Sequence, residues 1–429
     1  MGRFIRRRQS APTSDSHRDT MRQIWVLVAA AFVIALGFGL IAPVLPEFAR
    51  SFNVGITAAS AIVSVFALTR LIFAPASGQL VQKLGERPVY LGGLAIVAVS
   101  TAACAAAQNY WQLMIFRGLG GIGSTMFTIS AMALLIRLAP PDMRGRVNSL
   151  YSSAFLLGSI GGPLIGGLLG GLGLRVPFIA YAAALVVAII VVQTQLSHTG
   201  PGGGGTQSAR EEFLVRDAIR DPAYRAALLT NLAHGWATFG VRVAVIPLFA
   251  VAALTAGPRL AGLALAAFSA GMAFILITAG RLSDRYGRKP PTVLGLFVAG
   301  GATIALGLSD VTWVFLVLCV VGGMGTGLFV PGQQAAVADI IGSDRNGGRA
   351  LATFQMTSDF GAIVGPILAG LIAEQVSFGA AFALTGAMLV AAAIYWLFAP
   401  ETIVRAAHEA RTESSDHPRV DPGKRPEEG

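Results

Sequence analysis

The sequence predicts an all-α membrane protein in which twelve transmembrane helices form two pseudo-symmetric six-helix bundles. Three observations carry this expectation. The chain is 54% hydrophobic and 13% charged, with 52 glycines and a mean hydropathy of +0.66, so a soluble fold could not cover its surface with polar groups. Apolar runs of about 20 residues, the length a helix needs to cross hydrocarbon, recur along it. The charged stretch Gly280-Arg-Leu-Ser-Asp-Arg-Tyr-Gly-Arg-Lys289 has a weaker counterpart at an offset of 202, Gly78-Gln-Leu-Val-Gln-Lys-Leu-Gly-Glu-Arg87. Charge that dense cannot lie in hydrocarbon, so each copy marks a tight turn on one membrane face.

In chain order, residues 1–22 form a polar, basic tail. The basic start Arg3-Phe-Ile-Arg-Arg-Arg8 is like that of a signal peptide. The apolar run from Ile24 to Leu45 is nevertheless too long for one and lacks a small-residue cleavage site, so it reads as span 1, about 23–46. Gly37, Gly39, Pro43 and Pro46 weaken its hydrogen bonding toward one end. Spans 2 (about 57–81) and 3 (about 88–108) flank the weaker charged turn. Span 4 (about 110–138) opens on Tyr110-Trp111, aromatics suited to the outer interface. Spans 5 (ending near 173) and 6 (about 177–196) complete a first bundle, 23–196.

Residues 197–223 change composition and read as a cytoplasmic linker: Gly200-Pro-Gly-Gly-Gly-Gly205 as a hinge, then a short amphipathic helix on the membrane surface. Spans 7 to 12 follow at about 224–252, 259–282, 290–309, 312–341, 349–375 and 378–399, making a second bundle, 224–399. The charged, proline-rich tail, 400–429, is expected to be disordered.

The net charge of +10 raises the question of nucleic acid. With the amino terminus cytoplasmic, cytoplasmic segments hold 26 of the 32 Lys and Arg, outer loops hold Arg50, Arg175 and Arg259, and spans hold the remaining three. That asymmetry is the positive-inside bias, and it places both termini in the cytoplasm. The basic balance therefore reflects topology and anionic membrane lipid, with no nucleic-acid partner. Cys104 and Cys319 fall in spans 3 and 10 as small core residues without metal-ligand or disulfide spacing.

The second charged turn is similar at every specified position to the G-x-L-[AS]-D-[RK]-[FY]-G-R-[RK] loop signature of the major facilitator superfamily. That resemblance implies two six-helix halves related by an axis along the membrane normal. It also implies gating roles for Gly280, Asp284, Arg285, Gly287 and Arg288, and for Gly78, Gly85 and Arg87 of the first copy. In that family the acid pairs near the start of a helix in the opposite half and holds the cytoplasmic side closed. The first copy has Gln82 where the acid belongs, so its lock should be weaker, or its turn simply solvated.

Span 5 carries glycines at 158, 162, 166 and 170, one helical face apart, which lets another backbone approach closely. Tight packing alone can explain that stripe. Gly158, Gly161, Gly162, Pro163, Gly166 and Gly167 also resemble the G-x-x-x-G-P-x-x-G-G signature of the drug:proton antiporter families, which marks exporters. The repeat continues in Gly361 to Pro366, at an offset of 203.

Five ionisable residues fall inside spans: Arg70, Arg117, His234, Arg242 and Asp359. Each costs at least about 2.5–3.5 kcal/mol at mid-membrane and must face protein or water. Asp359 replaces Leu156 of the first half, so the repeat does not need it for structure. It is the candidate proton-binding carboxylate, the alternative being a fixed ion pair with Arg70 or Arg242. Arg117 opens a stretch resembling the span 4 signature R-x-x-x-G-x-G, which that family associates with proton transfer; His234 could titrate near neutral pH. Glu47, at the outer end of span 1, reads as an interfacial charge. Phe38, Phe66, Trp236, Phe239, Gln333, Gln334 and Gln355 are candidate walls of a central cavity.

Gly118-x-Gly120-x-x-Gly123 formally fits a dinucleotide fingerprint, but it lies within a span and lacks the strand that motif requires. No cofactor, metal or catalytic nucleophile is expected. The expectation is a monomeric, proton-coupled exporter of small amphipathic compounds, including drugs, in the cell membrane. Three arginines against one aspartate favour neutral or anionic cargo. A carrier of one metabolite, or a non-transporting receptor on the same fold, are the alternatives.

Overall fold

The structure is a computed structural model that describes residues 14–139, 143–196, 215–254, 257–342 and 348–402. Among them twelve helices are long and apolar enough to cross a bilayer. Spans 1 to 6 are Met21–Ile41, Ile56–Leu84, Glu86–Ala106, Tyr110–Leu135, Leu150–Gly170 and Val176–Gln195. Spans 7 to 12 are Pro222–Ala252, Pro258–Leu276, Lys289–Leu306, Thr312–Ile341, Arg349–Gln375 and Phe378–Phe398.

Local chemistry sets several ends. Asn109 Oδ1 accepts from the Gln112 amide (2.9 Å) at the start of span 4, Asp221 Oδ1 from Ala223 (2.8 Å) at span 7, and Ser377 Oγ from Ala380 (3.0 Å) at span 12. Each satisfies a first-turn donor that the helix itself leaves open.

Three ends differ from the sequence reading. Helix extends back from span 1 to Ser14, into the basic tail. At its other end span 1 stops at Ile41, because Pro43 cannot donate; the chain turns over residues 42–44, and a short helix, Leu45–Arg50, restarts on Pro46. The carboxy-terminal tail begins ordered: Glu401 accepts from the backbone amides of Arg288 (2.8 Å) and Lys289 (3.0 Å), capping span 9 with a negative charge. Of the linker, a six-residue helix, Val215–Arg220, is described; the glycine hinge lies outside the described residues.

Span 7 is irregular at its centre. A ten-residue π-helix, Trp236–Val245, separates two α-helical parts. Such widened turns in a helix often accompany functional sites.

In the first half, span 1 packs on spans 5 and 6, span 4 on spans 2 and 3, and span 3 on span 6. The second half repeats each pairing six spans later. The halves meet through span 2 on span 11 and span 5 on span 8. Trp111 and Trp313, 68% and 67% exposed, stand at equivalent positions on spans 4 and 10, where an aromatic belt would meet the bilayer interface.

The two charged turns share a plan with opposite polarity. Gly85 and Gly287 take φ of +87° and +98°, a region closed to residues with a β-carbon. The residue after each glycine makes an ion pair to the end of the next helix but one. Glu86 Oε2 lies 3.0 Å from Arg137 Nη1 of the helix of span 4, whereas Arg288 Nε lies 3.0 Å from Asp339 Oδ2 of span 10. These pairs are equivalent at the 202 offset, so the clamp is kept with its signs exchanged. Arg87 and Lys289 likewise both donate to terminal carbonyls, at Gln193 (2.7 Å) and Leu397 (2.7 Å).

Glu86→Arg is expected to lower the thermal stability of the full chain in detergent by about 0.5–3 kcal/mol, because it replaces an ion pair with two like charges. Glu86→Arg combined with Arg137→Glu should recover most of it. Equal melting of the single and double variants would show that the contact contributes nothing.

Candidate functional site

A cavity of about 570 Å³ lies between the halves, lined by spans 1 and 5 of the first and spans 7, 8 and 10 of the second. Its walls are mostly apolar, including Phe38, Leu156, Leu265, Met272 and Val330. Ser152, Ser153, Ser159, Ser269 and Gln334 add polar groups, and among the described residues Arg242 is the only charged one on the wall. Ser152, Ser153 and Gln334 are exposed and stand toward the end that bears the charged turns.

The opposite end, away from the charged turns, is closed by two equivalent helix crossings. A Cβ on Gly167 of span 5 would fall 2.9 Å from Gly262 Cα of span 8, and one on Gly370 of span 11 would fall 2.6 Å from Ser60 Oγ of span 2. At the first crossing two glycines bring backbone onto backbone, and at the second Gly370 leaves room for the Ser60 side chain. Beyond Gly370, Glu374 accepts hydrogen bonds from Thr57 N (2.8 Å) and Thr57 Oγ1 (2.5 Å) at the start of span 2. Toward the basic end the contacts stop: a Cβ on Gly78 or Gly280 would meet nothing within 4 Å.

Asp359 and Arg70 extend the same antiparallel ladder of spans 2 and 11. Thr57 faces Glu374, Ser60 faces Gly370, and Arg70 comes within electrostatic range of Asp359. Gln355 stands one turn away from Asp359 on span 11. The cation that acts on Asp359 is therefore Arg70 of the other half, and Arg242 stands apart.

The remaining arginines sit on aromatic faces at equivalent places in the two halves. Arg117 Cζ is 4.1 Å from the Phe66 ring centroid and 5.9 Å from that of Phe38; its Nε is buried without a hydrogen-bond partner. Arg242 Cζ is 4.8 Å from the Phe268 centroid. Phe66 and Phe268 correspond at the 202 offset, although the cations come from spans 4 and 7. Sequence reasoning named Phe66 but missed Phe268, which that offset would have found.

Other candidates divide between the cavity and the bundle interior. Phe38 and Gln334 line the cavity. Gln333 is buried against Asn231 (3.4 Å), and Trp236 donates to Thr385 (2.9 Å) within the second half. Phe239 is half-buried against the main apolar core. His234 packs edge-on to Phe329, ring centroids 5.4 Å apart, beside a small void that Arg242 also borders. Glu47 lies outside the spans; burial raises its carboxyl above the usual range and Arg50 partly opposes that.

The gating residues stay within their own halves. Asp284 pairs with Arg288, and Arg285 lies 5.4 Å from the Tyr286 ring centroid. No ion pair from Asp284 to the first half is present among the described residues. In the exporter-like stretch, Gly158, Gly162 and Gly166 lie against the span 1 backbone at Phe32, Leu36 and Leu40. Gly161 makes only an ordinary contact with Leu36, and Gly167 reaches across to span 8.

The Major Facilitator Superfamily model matches residues 27–249 and, a second time, 227–424. The chain belongs to the Major Facilitator Superfamily. It is 30% identical over 346 residues to the class G tetracycline resistance protein of Vibrio anguillarum, an alignment covering 78% of this chain and 86% of that protein. It is 25% identical over 360 residues to the quinolone resistance protein NorA of Staphylococcus aureus, covering 82% and 90%. Among solved superfamily folds, a bacterial homologue of the human lysosomal transporter Spinster aligns with a TM-score of 0.77 at 15% identity, covering 92% of this chain and 99% of that one. A D-xylose-proton symporter aligns at 0.69 and 16% identity, covering 88% and 98%. At these identities the structural likeness concerns fold alone.

Gly167→Leu should hold the outer crossing apart. The measurement is labelling of a Ser269→Cys reporter by a membrane-impermeant thiol reagent applied from outside; both native cysteines, Cys104 and Cys319, are buried. Labelling should rise about tenfold over the reporter alone, a shift of about 1.4 kcal/mol toward the outward-open state. Unchanged labelling would mean the glycine contact does not seal that end.

Proposed function

We propose that the chain exports small amphipathic compounds, drugs among them, in exchange for protons, by alternating access across the plasma membrane. In this reading it works as a monomer in a lipid bilayer, with both termini and the charged turns on the cytoplasmic side. Membership of the superfamily and the names of the two resistance proteins support it. The observation that carries the coupling is the cross-half pair of Arg70 and Asp359, set in the ladder that closes the outer end.

When the outer crossings part, span 11 withdraws Asp359 from Arg70. A carboxylate left in a low-dielectric setting without its cation favours the protonated form, so it takes a proton from outside. Closing the outer end brings Arg70 back, which favours the ionised form and drives the proton toward the cytoplasmic opening. Substrate then enters the vacated cavity and the loaded carrier reopens outward. Gln355 orients the carboxylate. Arg117 acts indirectly, by holding Phe66, one turn from Arg70 on span 2. His234 acts on the second half's interior, through its contact with Phe329. The charged turns would pair across the halves in the outward-open state.

In proteoliposomes with a trapped pH dye, Asp359→Asn should reduce substrate-driven proton flux by about tenfold or more. Substrate counterflow, which needs no net proton movement, should persist. Coupled flux at the native rate would remove Asp359 from the mechanism.

A further inference from the structure

Arg242 is an anomaly on the cavity wall. Among the described residues it is the single charged lining residue and no acid pairs with it, and it projects from the π-helical segment of span 7. Among the described residues it makes no hydrogen bond or ion pair, and its half-buried guanidinium is not sealed, unlike Arg117, whose Nε is buried. Its face rests on Phe268, which fixes the plane and leaves the N–H edge free. A fixed, planar, unsatisfied donor fork matches a carboxylate, which it can bind through two parallel hydrogen bonds.

The rest of the cavity fits the remainder of such a ligand. Leu265, Met272 and Val330 offer an apolar surface, and Ser269 and Gln334 can bond a few polar substituents. A volume of about 570 Å³ suits a drug-sized molecule. A cationic ligand would meet like charge with no carboxylate on the wall to offset it.

We infer that the cargo is a monoanionic amphipathic acid, its carboxylate held by Arg242 and its apolar body against spans 8 and 10. This rests on reading the cavity as the transport site, and it narrows the substrate class from amphipathic compounds in general.

The test uses the purified full chain and two probes of matched shape, 1-pyrenebutyrate and its neutral amide, with binding followed by energy transfer from tryptophan to pyrene. The acid should bind about tenfold tighter than the amide. Arg242→Gln should erase that preference, and Arg242→Lys, which keeps the charge but not the fork, should retain part of it. Unchanged size-exclusion profiles and unchanged melting temperatures of both variants exclude misfolding as the cause. Equal binding of acid and amide by the native chain, a preference that survives Arg242→Gln, or no binding of the acid overturns the proposal. A parallel proton-flux assay separates it from the exporter reading. If the amide drives flux as well as the acid does, export stands and acid selectivity falls. If acid binding depends on Arg242 but no flux follows, the site stands and export falls.

Discussion

Hydrocarbon supplies no hydrogen bonds, so every charge and every bare backbone group within the spans must be dealt with by the protein. Of the four basic groups set away from the span ends, Arg70, Arg117, His234 and Arg242, one has a carboxylate within electrostatic range: Arg70, with Asp359. Arg117 and Arg242 rest on phenylalanine faces, and His234 meets a ring edge. A desolvated cation on an aromatic face gains about 2 kcal/mol or more, comparable with the translocon cost of about 2.5–3.5 kcal/mol for placing it mid-span. The two aromatic seats differ in one respect. Arg117 is closed in, whereas Arg242 keeps its edge on the cavity, so the first is a strut and the second is available to a ligand.

The same constraint governs how helices approach. Lipid tails are as apolar as leucine, so helices associate by packing, and the closest packing puts backbone on backbone. Span 5 uses its two glycine faces for different purposes. Gly158, Gly162 and Gly166, spaced by four, lock it to span 1 of its own half. Gly167, about 100° further round, touches span 8 of the other half. A helix of this kind can stay fixed within its bundle while its other face makes and breaks contact with the opposite one. Spans 5 and 11 are each built this way, and the outer seal is the sum of two such separable faces.

Much of this was legible in the sequence, because span length, duplication and charge asymmetry are properties of composition along the chain. Asp359 stood out because nothing in the repeat required it. What the sequence left open was rotational phase. Gln333 and Gln334 are neighbours of equal polarity, yet about 100° of helix rotation puts one against Asn231 and the other on the cavity. The π-helical segment shifts that phase further for the residues after Trp236, and Trp236 itself, where the segment begins, turns to Thr385 rather than to the cavity. Glu401 was beyond reach for another reason. Its role as a cap exists only once span 12 has returned the chain to the start of span 9.

Duplication offers a way to separate structural charges from functional ones within a single chain. The clamps at the charged turns differ in all four residues, yet Glu86 with Arg137 and Arg288 with Asp339 make the same contact, so each change has been matched by its partner. A matched change preserves an interaction whose sign does not matter, which is the behaviour of a structural tie. The five charges within the spans show no such matching. Across the repeat, Arg70 faces Met272, Arg117 faces Cys319, Asp359 faces Leu156, and on the offset of 201 that relates spans 1 and 7, Arg242 faces Ile41 and His234 faces Val33. The counterpart half folds without any of these groups, so helix packing does not demand them. Each cost is borne in one half without a counterpart in the other, and three of the five groups, Arg70, Asp359 and Arg242, lie where the two halves meet. Arg70 and Asp359 lie further along the interface of spans 2 and 11 than its glycine crossing, nearer the middle of both helices, and Arg242 sits on the cavity wall. Asymmetry laid over a symmetric scaffold is what a carrier needs if closing one end is to move a proton while the cavity selects its cargo.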